Sequence, residues 1–258
     1  FPLREYLLGV VAAEMPAAYE QEALKAQALA ALSYARYTLQ TKEAIPADSE
    51  TAQGFWTDEE MKDRWGEKYE ENRQKILSAV DAVKDLCLEY DGKPILAAYF
   101  ALSGGRTENA EDIWGGEYPY LSSVTSSGDA LSSGLTITKT MDKDTVRTAL
   151  SKIRQPVQDE LTVGEIERTE GGSVHSVIIG GTSYTGAEVR NALELDSANF
   201  TIEEDDDHLL FTVTGRGHGV GMSQYGADYM ARQGADFTEI LLHYYPGAVI
   251  VRENAEAA

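Results

Sequence analysis

Leu86-Cys87-Leu88-Glu89-Tyr90-Asp91-Gly92-Lys93-Pro94-Ile95-Leu96-Ala97-Ala98-Tyr99-Phe100 is where the residue pattern of this chain changes its period. Leu86 to Tyr90 and Pro94 to Phe100 read as strands, joined by Asp91-Gly92, a dipeptide favoured in tight hairpins. Most of the chain before this stretch repeats at helical spacing. Leu3, Leu7, Val10, Val11 and Glu14 lie on one stripe of a helix that Pro16 stops, so Glu14 sits on the apolar face. A second helix is expected from about Glu20 to Gln40, with Leu24, Ala28, Ala31 and Ala35 as a small-residue seam and Lys25, Leu29, Leu32 and Arg36 as a second stripe. A polar, loop-like segment from Ala44 to Gly66 precedes a long helical pattern from roughly Glu67 to Asp85.

After the hairpin the chain is mainly strand and turn. Ser103-Gly104-Gly105 is a turn, and residues 125–134 are small and polar, which suggests a boundary. A helix near Lys143 to Arg154 follows. Strands flank Gly171-Gly172, Gly180-Gly181 turns the chain, and a short helix is expected around Ala187 to Leu193. Asn199 to Glu204 and Leu209 to Thr214 form a further hairpin across Asp205-Asp206-Asp207. A glycine-rich loop, Gly215 to Gly221, leads into helices ended by Gly234 and by Pro246-Gly247. The pattern predicts an α+β fold: a main lobe of residues 1–124 and 206–258, and a smaller β-rich insert of residues 125–205, with a groove between them.

With 22 Lys and Arg against 43 Asp and Glu, the formal charge is −21. A nucleic-acid partner is thereby excluded, since a phosphate backbone calls for clustered basic residues. The single cysteine, Cys87, lies in an apolar run and reads as a buried structural thiol; it excludes an internal disulfide and leaves the redox compartment open. No apolar run reaches membrane-spanning length. The chain opens at Phe1 without a Met or a charged-then-apolar leader, so either a targeting segment has been removed or the chain has been cut. Four scattered histidines, His175, His208, His218 and His243, give no ligand cluster, and no metal or other cofactor is expected.

Glu14 is the first candidate for chemistry. A carboxylate on an apolar face is hydrogen-bonded, paired or functional, and burial favours the protonated form that a general acid needs. The alternative is a structural glutamate tied to a helix end or an Arg. Lys25 and Arg36 share a face, either as a solvated stripe or as contacts to substrate oxygens. The run Gly215-Arg216-Gly217-His218-Gly219-Val220-Gly221-Met222-Ser223-Gln224-Tyr225 is neither a Walker-type loop nor a dinucleotide fingerprint. Its glycines allow backbone to approach a ligand, and His218 is a proton carrier or a hydrogen-bonded turn residue. Ser223 reads as a helix N-cap rather than a nucleophile. Trp114, Tyr118 and Tyr120, beside Gly115-Gly116, are core residues or platforms for sugar rings.

Several stretches together resemble the stage II sporulation protein D family of cell-wall enzymes. They are Tyr6-Leu7-Leu8-Gly9-Val10-Val11-Ala12-Ala13-Glu14-Met15-Pro16, Glu22-Ala23-Leu24-Lys25-Ala26-Gln27-Ala28, Ser103-Gly104-Gly105-Arg106-Thr107-Glu108-Asn109, Asp112-Ile113-Trp114-Gly115 and Gly217-His218-Gly219-Val220-Gly221-Met222-Ser223-Gln224-Tyr225-Gly226-Ala227. The resemblance spans essentially the whole chain. It implies a lytic transglycosylase that cleaves the bond between N-acetylmuramic acid and N-acetylglucosamine, preferably on strands stripped of stem peptides, with Glu14 as the acid/base. On that basis Lys25 is read as the chief substrate contact, Ser103, Glu108, His218, Ser223 and Gln224 as groove lining, and Arg36, one turn beyond Leu32, as a further basic contact. The resemblance further implies an exported protein tethered to the membrane by a segment outside this chain, acting with a wall amidase during engulfment in sporulation. Where family members carry Arg and His, this chain has Leu32 and Phe100; Phe100, Arg106 and the lack of nearby Cys exclude the zinc site of some relatives. A glycan-binding module that stimulates an amidase, and a simple hydrolase, are the competing readings.

Overall fold

The computed structural model describes residues 2–45, 53–154 and 161–252. The chain divides into two compact units, residues 1–99 with 227–258, and residues 100–226. Residues 100–124 and 206–226, which the sequence pattern grouped with the main lobe, thus fall in the second unit.

The first unit begins with α1 (Leu3–Glu14), α2 (Gln21–Leu39), α3 (Asp58–Trp65) and α4 (Tyr69–Val83), then β1 (Leu86–Tyr90) and β2 (Lys93–Pro94). β3 (Tyr99–Phe100) stands at the boundary. The second unit holds α5 (Ala110–Trp114), β4 (Thr136–Asp142), α6 (Lys143–Leu150), β5 (Val163–Arg168), β6 (Val174–Ile179), β7 (Thr182–Tyr184), α7 (Gly186–Leu193), β8 (Phe200–Glu204), β9 (His208–Thr214) and β10 (Met222–Ser223). Along α8 (Gln224–Arg232) the chain returns to the first unit, which α9 (Phe237–Tyr244) and β11 (Val249–Arg252) complete. Helices and sheets are mixed as the sequence predicts.

In the first unit the buried stripe of α1, Leu7, Val10 and Val11, joins Leu24, Leu29 and Leu32 of α2 and Ile76, Val80 and Val83 of α4 in the core. Leu3, at the head of the predicted stripe, is exposed. β1 pairs antiparallel with β11 and with β2. Asp91 and Gly92 both take positive φ, as the tight turn between β1 and β2 requires. The predicted strand from Pro94 to Phe100 is broken, because Ala97 N–H and Ala98 N–H donate to carbonyls only two residues back and curl the chain. The segment read as a loop from Ala44 to Gly66 contains α3. Thr57 and Glu60 start it with a reciprocal capping box, although Met61 is the only one of its residues that is buried.

In the second unit β4 pairs with β9 and β9 with β8, while β6 lies between β5 and β7. β4 was not anticipated from the sequence; most of its residues are exposed. The core of this unit gathers Val146 and Leu150 of α6, Val177 of β6, Val189 of α7, and Phe200 and Phe211, whose rings meet edge to face at 5.8 Å. The glycine-rich loop runs beside the Ser-Gly-Gly stretch: Leu102 and Arg216 exchange backbone hydrogen bonds, and Glu108 N–H donates to Gly219 O.

Candidate active site

Glu14 is the last residue of α1; Met15 is already extended and Pro16 follows. Its side chain is half-buried. Gly54 N–H donates to Glu14 Oε1 at 2.5 Å. A side chain at position 54 would begin 3.0 Å from that oxygen, a tight contact that the Glu14 carboxyl would have to yield to. The segment around Gly54 is laid along α1 by its neighbours. Trp56 N–H donates to Gly9 O, and the Phe55 ring fills the space a Cβ on Gly9 would occupy. Tyr6 and Phe55 stack, with their rings 15° apart in plane and their centroids separated by 6.2 Å.

Three phenols lie within the electrostatic reach of the carboxylate. Burial raises the pKa of Tyr6, Tyr34 and Tyr99, and the negative charge of Glu14 raises each further. Tyr99 O–H donates to Gln53 Oε1 at 2.8 Å, and Gln53 Nε2 donates to the Tyr6 oxygen at 2.9 Å. Gln53 also reaches the Ala31 carbonyl, and only 4% of it is exposed. This network ties α1, α2 and β3 to one buried amide. Neither Gln53, Gly54 nor the tyrosines were predicted as site residues; the tyrosines' sequence signal was only their aromatic type, and Gln53 and Gly54 gave none, since the convergence is tertiary.

The two predicted basic contacts have partners of their own. Lys25 pairs with Glu22 at 2.6 Å and sits 5.9 Å from the centre of the Phe237 ring, while the other Glu22 oxygen accepts the Phe237 N–H. Arg36 donates to the Leu86 carbonyl. Arg36 and Leu32 do line one cavity of about 500 Å³, together with Tyr6, Gln53 and Phe55.

In the second unit the predicted contacts are mostly interior. Ser103 and Ser223 meet through a carboxylate that sequence reading missed. Asp129 Oδ2 accepts from the Ser103 N–H at 2.9 Å and from the Ser103 hydroxyl, and Asp129 Oδ1 accepts from Ser223 Oγ at 2.9 Å. Burial pushes the Asp129 carboxyl above its usual range, although these hydrogen bonds act in the opposite sense. Ser223 Oγ also accepts the Gly226 N–H, which makes it the N-cap expected for α8. Glu108 is 2% exposed. Its carboxylate accepts from Ser173 N–H at 2.9 Å and Thr169 Oγ at 2.6 Å. Gly171 and Gly219 close around it, each leaving no room for a Cβ. Gln224 is buried, and His218 is half-buried with Nδ1 accepting the Val220 N–H at 3.1 Å.

Among the described residues no three His, Cys, Asp or Glu side chains gather as a metal-binding group, and no helix is long and apolar enough to cross a membrane.

Residues 1–90 match the family described as Stage II sporulation protein. The chain is 40% identical over 257 residues to stage II sporulation protein D of Bacillus amyloliquefaciens, covering 96% of this chain and 74% of that protein. It is 38% identical over 262 residues to stage II sporulation protein D of Bacillus subtilis (strain 168), covering 98% of this chain and 76% of the relative. A protein of the same strain named amidase enhancer is 28% identical over 296 residues, which span 95% of this chain and 40% of that protein. With likeness at this level running along almost all of its length, the chain belongs to the stage II sporulation protein D family.

Proposed function

We propose that this sporulation protein is a peptidoglycan lytic transglycosylase in which Glu14 is the acid/base. The observation that carries the reading is the setting of Glu14: a half-buried carboxyl at the end of an apolar helix, gripped by the Gly54 amide and bordered by neutral phenols. A helix C-terminus already carries partial negative charge, so it favours a carboxyl that holds its proton until a substrate oxygen takes it.

The reaction needs one such group. The protonated Glu14 carboxyl gives its proton to the oxygen linking N-acetylmuramic acid to N-acetylglucosamine as the bond to C1 breaks. The C6 hydroxyl of the same muramic residue then attacks C1, and the Glu14 carboxylate accepts the hydroxyl proton. The strand ends as a 1,6-anhydro sugar, and no water is consumed. Tethering the nucleophile within the substrate replaces the second carboxylate of an ordinary glycosidase. The Gly54 N–H supports the carboxylate in the interval when it is charged. Arg36, in the cavity shared with Tyr6 and Gln53, is the basic group we assign to the substrate, and the protein works outside the cell membrane on peptide-stripped strands. The name of the amidase enhancer relative supports an association with a wall amidase.

A second reading, a glycan-binding module that stimulates an amidase, draws on the same relative and on Leu32 and Phe100 standing where an Arg and a His were expected. Incubation with peptide-stripped glycan and mass analysis of the products separates the readings. Transglycosylation yields ends lighter by one water than hydrolysis does; unchanged strands would defeat the enzymatic reading and leave the binding module.

A further inference from the structure

Trp114, Tyr118 and Tyr120 follow closely in sequence, and the fold treats them differently. Tyr120 is buried and Tyr118 half-buried, whereas Trp114 keeps 43% of its surface exposed. A lone exposed apolar residue needs no explanation, but this indole is propped from behind. The His218 ring lies 5.1 Å from it, centre to centre, and the Tyr118 ring meets it edge-on at 6.5 Å. His218 is in turn backed by Phe100 at 5.7 Å and fixed by the Val220 N–H at its Nδ1. Tyr118 lies over Gly116, where a Cβ would stand 2.6 Å from the phenol ring, so the second glycine of Trp114-Gly115-Gly116 is part of the mounting. Beside Tyr118 is a depression of about 290 Å³ lined also by Asn109, Glu111, Glu117 and Ser122.

We propose that Trp114 is a stacking platform for a neutral N-acetylhexosamine residue of the glycan strand, and that the depression beside Tyr118 receives the polar edge of that sugar. The assignment rests on the reading that glycan is the ligand of this protein. A pyranose offers one face of C–H groups to an aromatic ring and a rim of hydroxyl and amide groups to polar side chains, which is the pairing found here. Glu111, Asp112 and Glu117, within three residues of Trp114 in sequence, are exposed, and their charge disfavours a nucleobase carrying phosphate or a sugar carrying a free carboxylate. A rigid aromatic surface costs little entropy to use, because its neighbours already hold it in place.

The experiment titrates the full chain with N-acetylglucosamine tetramer and compares Trp114→Ala and Trp114→Phe with the parent. Trp114→Ala is expected to weaken binding on the order of tenfold, as loss of an aromatic anchor does, and Trp114→Phe by less. The parent protein also supplies a measurement that needs no substitution. Tetramer at saturation should shield Trp114 from N-bromosuccinimide while leaving the half-buried Trp56 and Trp65 as reactive as before. Equal affinity in Trp114→Ala, or unshielded oxidation of Trp114, overturns the platform. If the parent cleaves glycan and either result is found, the platform alone falls; a parent that neither cleaves nor retains glycan removes the functional reading with it.

Discussion

Glu14 in the first unit and Glu108 in the second are both drawn out of water, and they are held in opposite ways. Glu108 is enclosed: Ser173 and Thr169 donate to its two oxygens, and Gly171 and Gly219 close over it. Glu14 remains half-open at the end of its helix, with one backbone amide on Oε1 and phenols whose own ionisation its charge suppresses. Both residues lie in motifs of the resemblance, although the residue pattern by itself singled out only Glu14. Only the folded chain separates them: a carboxylate enclosed with fixed donors on both oxygens acts as a latch, while one that keeps access to solvent can exchange a proton.

The strongest way to break this contrast is to neutralise each in turn. Glu14→Gln is expected to lower turnover of peptide-stripped glycan by about 10²–10⁴-fold, the usual worth of a general acid/base, with a melting temperature close to that of the parent. Product mass analysis and a thermal melt measure the two sides. A variant that turns over normally, or that simply unfolds, would make Glu14 another latch. Glu108→Ala should do the reverse and cost about 2–3 kcal/mol in denaturant unfolding, because the Ser173 amide and the Thr169 hydroxyl lose a buried acceptor. Unchanged stability with lost glycan retention would instead make Glu108 a ligand contact.

Much of the first unit was legible because its helices are buried along one stripe. Leu7, Val10 and Val11 repeat at the helical period and Pro16 ends it, so α1 and the position of Glu14 follow from spacing alone. α3 was hidden by its polarity, although Thr57 and Glu60 spelled its capping box. β4 was hidden for a related reason: a strand exposed on most of its length shows no alternation to read. Of the candidate site, the placement of Glu14 was legible and its surroundings were not. Tyr6 and Tyr99 lie on separate elements, and nothing in local spacing says that they converge on Gln53. The motif residues Ser103, Glu108 and Ser223 illustrate the converse, since a resemblance marks positions without saying whether they face a ligand or the interior.

Gly54→Ala sharpens the contrast at its most local point. The added methyl would lie 3.0 Å from Glu14 Oε1 and 3.4 Å from Ala13 Cβ, tight enough to push the carboxyl from its amide. Turnover is expected to fall about tenfold, the worth of a single misplaced hydrogen bond in the transition state, with a stability loss of at most about 1 kcal/mol. Retention of full activity would show that the amide merely accompanies Glu14.

The smallest effect separates a buried carboxyl from an open one by titration. Asp129 has its pKa raised by burial above an unfolded value of about 3.9, so between the two values the folded chain binds the proton more tightly than the unfolded one. Its contribution to stability is therefore complete below the unfolded pKa and is lost as pH rises through the folded one. Asp129→Asn cannot titrate, and its amide cannot accept from both Ser103 and Ser223, so it is less stable throughout. The gap between parent and variant should widen on lowering the pH through this window, by no more than about 1.4 kcal/mol for each pH unit. Asp228, also raised, and Asp81, held at about 2 by Arg4, are present in both proteins and drop out of the difference. Parallel curves from denaturant unfolding across this range would mean that the Ser103 and Ser223 hydrogen bonds balance burial, and that Asp129 is as readily charged in the fold as it is in water.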